Sequence, residues 1–156
     1  MTELKFYPIN LLIVGLILLP NILSMFLPPV NIPAESHRPP WWSVIIAIEW
    51  IGRIAIFILP LFWKIRVDRS TILFLFLMSL MLVIYYVGWT RFFLNGREFR
   101  LLFEPLLGIP IPLAISPLLC VLFLGLAQKS WPVVAASVIM ALGHIPESLS
   151  NISSTK

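Results

Sequence analysis

Charge is scarce in this chain. Only 12% of its 156 residues are Asp, Glu, Lys or Arg, while 60% are hydrophobic, and mean hydropathy is +0.99. A soluble domain carries roughly 25% charged residues and is about half apolar, so the composition excludes an ordinary water-soluble globule. The formal net charge is +4, but the cations come in short clusters between apolar runs. That arrangement suits anionic lipid headgroups and the setting of topology. It is not the basic stripe of a nucleic-acid binder, and no nucleic-acid partner is expected.

Cysteine and histidine are nearly missing. Cys120 is the one cysteine, which excludes an internal disulfide; its apolar surroundings raise a thiol pKa and argue for packing over thiolate chemistry. Two histidines, His37 and His144, stand without a neighbouring cluster of ligands, so neither a metal nor any other cofactor is expected. There is no Walker loop, GxSxG, HExxH or paired CxxC. Internal repeats are also lacking, and with them the inverted symmetry of many transporters.

What the chain does have is apolar runs of bilayer length, which need about 20 residues each. By length it is one domain, residues 1–156. The expected fold is all-α, a polytopic transmembrane helix bundle of five spans at about 9–27, 42–63, 71–90, 105–127 and 131–149. Four spans is the alternative, since the last segment contains His144, Glu147 and Pro146, with Pro146 expected to interrupt its end. The first run has a weak basic start (Lys5) and no small-residue cleavage site, so it reads as a retained span. Within it Asn10, Asn21 and Ser24 fall on one helix face, and Pro20 predicts a kink.

The connections carry their own signals. PPVNIPAESHRPPWW is too rich in proline for continuous helix and predicts an extended segment over one bundle end. Trp41 and Trp42, and later YYVGWTRFF, mark membrane interfaces. Asn95-Gly96 is a turn signal, and REFRLLFEP predicts a short interfacial helix. Pro110, Pro112 and Pro117 predict a broken start to the fourth span. Lys64, Arg66 and Arg69 favour an inward second connection, with the N-terminus inside and the C-terminus outside, whereas Arg91, Arg97 and Arg100 pull the other way. Asn151-Ile152-Ser153 fits a glycosylation sequon, which matters only in a secretory organism.

The centre of the candidate chemistry is the second span, PPWWSVIIAIEWIGRIAIFILPLFWKIR, which carries Glu49 and Arg53 near its middle. An ionisable group at that depth costs about 2.5–3.5 kcal/mol on insertion scales and marks a functional site by default. The i, i+4 spacing, acid first, puts the two on one helix face in the favourable order. The alternative is a structural pair that fixes packing, or an arginine reaching for the interface. His144 and Glu147 lie three apart, within a stripe of Ser137, Ala141 and Ser148, so a proton-shuttling histidine beside a carboxylate competes with a plain helix end reaching water. Tyr85, Tyr86, Trp89 and Arg91 read as interfacial anchors or as a pocket mouth.

YYVGWTRFFLNGR, IPIPLAISP and GHIPES together resemble a group of uncharacterised small bacterial multi-spanning membrane proteins. The likeness runs from the second span onward and implies a bacterial inner-membrane location without implying an activity. PPWWSVIIAIEW and PLAISPLLCVLFL also resemble the EXPERA family, which includes the emopamil-binding sterol isomerases and the sigma-2 receptor. The first has that family's proline-tryptophan lead into a carboxylate-bearing helix; the second has its late helix with prolines five apart. The resemblance implies a membrane cavity in which Glu49 meets a cationic amphiphile or sterol. The chain departs from that family at Asn21, where the first span lacks the family's second carboxylate, and in the proline spacing of the second span.

The leading expectation is therefore non-enzymatic: a multi-pass cell-membrane protein that binds or passes a small amphiphile or ion through an intramembrane polar pocket. The ligand-binding candidates are Glu49, Arg53, Asn21, His144 and Tyr86, with the bilayer itself as a partner. An isomerase-like enzyme with a Glu49–His144 proton shuttle is one alternative. An accessory subunit, paired with itself or with another membrane protein, is the other.

Overall fold

The computed structural model of the chain describes residues 5–33 and 38–153; His37 lies outside the described residues. Among the described residues five α-helices make up the fold: α1 (Pro8–Phe26), α2 (Trp42–Ile58), α3 (Arg69–Leu94), α4 (Pro112–Ala127) and α5 (Trp131–Ser153). A 3-10 turn, Leu59–Phe62, continues α2, and a second, Phe99–Leu102, stands where a short interfacial helix is expected. No strand occurs among the described residues.

The helices alternate up and down. At one bundle end the start of α1 meets the end of α2, through Tyr7 N–H to the Leu61 carbonyl at 2.9 Å. At the other, Val30 pairs with the connection after α3, its N–H to the Arg97 carbonyl at 2.9 Å. The tightest pairings are α2 with α5, α3 with α4 and α4 with α5, while α1 touches mainly the 3-10 turn after α2 and α3. A core of Ile17, Ile56, Leu118, Val121, Leu124 and Val133 runs between them. Cys120 is fully buried within it, as a packing residue.

Among the described residues four helices are long and apolar enough to cross a membrane: Pro8–Phe26, Trp42–Phe62, Arg69–Leu94 and Trp131–Ile152. The short one is α4, not the last. Its 16 residues rise about 24 Å at 1.5 Å each, against a hydrocarbon core of about 30 Å. The missing turns are the broken lead-in foreseen from the prolines. Residues 105–111 form an irregular segment in which Leu107, Gly108 and Ile111 all have positive φ, and helix begins only at Pro112.

Pro146 does not interrupt α5, which continues to Ser153. A membrane helix tolerates an internal proline when neighbouring groups re-satisfy the freed backbone. α1 shows how. Pro20 has no N–H for the Leu16 carbonyl, and the Tyr86 hydroxyl of α3 donates to that carbonyl at 2.8 Å.

The polar face expected on α1 divides between two jobs. Asn10 is buried and its Nδ2 donates to the carbonyls of Pro60 and Trp63, both at 2.8 Å. Gln128 Nε2 donates to the same two carbonyls at 2.8 and 3.1 Å. The carbonyls left over at the end of α2 thus join three helices. Ser24 turns back onto its own helix, at the Asn21 carbonyl, and Asn21 faces the cavity described next.

Candidate functional site

The site exists because α2 and α5 approach backbone to backbone. A Cβ on Gly143 would stand 2.5 Å from the Glu49 amide nitrogen, and one on Gly52 would stand 2.5 Å from the Met140 Cα. Small residues permit such an approach, which dispersion and interhelical hydrogen bonds then stabilise in a membrane. Gly143 is followed at once by His144, so the close approach sets the imidazole beside the Glu49 carboxylate.

Glu49 Oε1 accepts from two partners. Arg53 Nη2 forms the i, i+4 ion pair, and His144 Nδ1 lies 2.9 Å away from across the helix interface. A carboxylate accepts only, so Nδ1 carries the hydrogen and Nε2 is the ring's remaining polar atom. The Glu49 side chain is 9% exposed, that of Arg53 40%. The guanidinium also lies over the Trp50 ring, 5.3 Å from its centroid. Its Nε is buried without an acceptor.

Beside this cluster is a cavity of about 230 Å³ to which every helix contributes: α1 through Leu18 and Asn21, α2 through Arg53, α3 through Tyr85, α4 through Leu113 and α5 through His144. Asn21 Nδ2 donates to the Tyr85 hydroxyl at 2.7 Å, and that hydroxyl donates to the Ile17 carbonyl at 3.2 Å. These bonds tie α1 to α3. Tyr85 is 1% exposed and Trp50 57%, so the cavity opens on the α1–α2 side, beside Trp50 and Arg53.

Four of the five candidate residues therefore meet around one space. Arg53, Asn21 and His144 line it, and Glu49 holds two of them from behind. Tyr86 is elsewhere. Its hydroxyl is taken by the carbonyl that Pro20 frees, and its ring lines a separate apolar groove with Leu82, Val87 and Leu94. Tyr85, one position earlier and about 100° around the helix, supplies the cavity's phenol.

His144 has a carboxylate partner, but from 95 positions away rather than three. Glu147 accepts instead from Arg38 Nη1 at 2.6 Å and from Trp42 Nε1 at 2.7 Å, tying the proline-rich connection to the end of α5. Sequence reasoning grouped Tyr85 with Tyr86 as anchors or a pocket mouth but put only Tyr86 forward as a binding residue, and it missed Gly52 and Gly143. A signal for the glycines was present: one lies three residues after the buried acid and the other directly before the histidine.

Arg91 lines the same groove as Tyr86 and pairs with Glu104, which also takes Arg100 Nη1 at 2.6 Å. Among the described residues no group of three or more His, Cys, Asp or Glu side chains comes together as a metal site would require. No family model matches this chain, and no curated protein or solved structure matches it either.

Proposed function

We propose that this is a multi-pass protein of the cell membrane, in a bacterium the inner membrane, that binds or passes a small amphiphile or ion through the cavity between α1 and the other four helices. The observation that carries the reading is the convergence of five helices on a partly polar space at mid-span, beside a buried Glu49 that is bonded to both Arg53 and His144. Polar groups at that depth are expensive, and an apolar cavity with a few convergent polar groups is the usual form of a small-molecule site.

The test is native mass spectrometry of protein released from mild detergent, wild type beside Leu18→Trp. Leu18 lines the cavity from α1, so an indole there fills the space while leaving Glu49, Arg53 and His144 unsubstituted. A small molecule retained by the wild type and lost from Leu18→Trp supports the reading. A wild type that retains nothing, natural or added, defeats it.

A second reading has its own observation. The 2.9 Å bond between Glu49 Oε1 and His144 Nδ1 is the base-and-orienter geometry of proton-transfer catalysis, as an isomerase-like shuttle requires. Turnover that survives His144→Ala would dispose of that shuttle.

A further inference from the structure

The resemblance to EXPERA proteins implies a cationic or sterol ligand held by Glu49. The cavity's own walls present the opposite charge. Glu49 does not line it; its carboxylate is turned to Arg53 and His144, and among the described residues no other Asp or Glu lines it. Among the described residues, the one permanently charged group that does line the space is Arg53. It is 40% exposed in the middle of an apolar span, where lipid chains offer no acceptor. One of its nitrogens reaches Glu49, and among the described residues the buried Nε has no acceptor. An unsatisfied charged donor in such a setting is costly, and guanidinium groups are matched by planar or tetrahedral oxygen anions.

We infer that the ligand is an amphiphile with an anionic oxygen head, a carboxylate or a phosphate, seated on Arg53 with His144 and Asn21 beside it. This rests on the pocket reading above. Volume sets how much of the molecule is enclosed. At about 30 Å³ per water, 230 Å³ holds roughly seven or eight waters, and it lies below the ~300–1,000 Å³ of sites that enclose a drug-sized ligand. The head and its first carbons fit inside, and the chain leaves past Trp50 onto the exposed apolar surface of α1 and α2. Leu19, Ile22, Val44, Ile51 and Ile54 all face outward there. A cationic head is repelled, because Arg53 stands between it and the hidden carboxylate.

The probes are dodecanoate, dodecyl phosphate, dodecyltrimethylammonium and dodecanol, one chain with four heads, added to purified protein in a non-ionic detergent and read by native mass spectrometry. Wild type is expected to retain one or both anions at least about ten-fold over dodecanol and over the ammonium, and the better-retained anion names the head. Arg53→Gln is expected to lose that preference by about ten-fold or more, about 1.4 kcal/mol, the scale of one charge-assisted hydrogen bond. Glu49→Gln is expected to keep the anion or bind it more tightly, since Arg53 loses its competing carboxylate. Preferential retention of the ammonium, or loss of binding in Glu49→Gln but not in Arg53→Gln, overturns the anionic head and leaves the pocket standing. Equal retention of all four heads does the same. Retention of none removes the pocket reading with it. Should Arg53→Gln fail to fold, the head-group ranking on wild type and on Arg53→Lys still decides the sign.

Discussion

Glu49 is the residue whose neighbours matter most, since it is 7% exposed and one of its oxygens serves two partners. Removing one member of a buried ion pair costs about 3–5 kcal/mol when the survivor stays buried. Arg53 is partly exposed and can reorient, so Glu49→Gln is expected to cost less, about 1–3 kcal/mol. His144→Ala should cost a similar amount, since it breaks one hydrogen bond to a charged group, worth about 1.5–3 kcal/mol, and empties a half-buried site. Both variants together should fall short of the sum by roughly 0.5–1.5 kcal/mol, as expected of side chains in contact. Thermal unfolding in detergent of all four proteins measures this, and strict additivity would mean the His144–Glu49 bond contributes nothing. The Glu49–Arg53 half of the cluster is legible in sequence, because i and i+4 share a helix face whatever the fold. The His144 half is not, because a contact across 95 positions depends on how α2 and α5 are registered.

That registration belongs to the element scale, and the glycines set it. Gly143 admits the Glu49 backbone and Gly52 the Met140 backbone. Gly143→Val cannot be absorbed by a rotamer change, because the atoms it meets are main chain. We expect it to spread α2 from α5, to lower the unfolding temperature more than Glu49→Gln does, and to abolish a disulfide engineered between the two helices. A variant as stable as wild type and still cross-linked would show that the close approach is dispensable.

A second element-scale contact is titratable. Asp68 caps α3, accepting from the Thr71 amide at 2.9 Å and from Ser70 Oγ at 2.6 Å, and it pairs with Lys129 Nζ at 2.5 Å in the α4–α5 turn. Lys129, then Ser70 and the Thr71 amide, hold its carboxyl well below the ordinary 3.8. A depressed folded pKa gives stability that is present above the unfolded value and lost as pH falls through the folded one. Asp68→Asn should therefore unfold more readily than wild type at neutral pH, and the gap should narrow as pH drops below 3.8. A gap independent of pH would mean that the charge on Asp68 contributes nothing to the fold.

At the scale of the whole molecule, the question is how many times the chain crosses the bilayer. Four helices have the length, and α4 is shorter. Its position between α3 and α5, packed along both, and the burial of Ile111 and Pro112 by protein would suit a fifth crossing with an irregular lead-in. Five crossings put the two ends of the chain on opposite faces. Single cysteines at Tyr7 and Asn151, in a Cys120→Ser background and sealed vesicles, should then react with an impermeant maleimide from opposite sides. Reaction from the same side would mean that one of the five helices does not cross.

Apolar runs of bilayer length, proline-broken connections and aromatic span ends are local properties. They determined the all-α architecture, the places of all five helices and the acid–base pair on the second, because hydrophobicity and helical periodicity need no partner to be read. What only the tertiary structure decided is which polar groups share a space. The hydroxyl of Tyr86 goes to the carbonyl that Pro20 frees, leaving Tyr85 for the cavity. Glu147 goes to Arg38 and Trp42, leaving Glu49 for His144. Each buried donor takes the acceptor that packing brings within reach, and reach between helices is set by the approach of their backbones, which spacing along one chain does not encode.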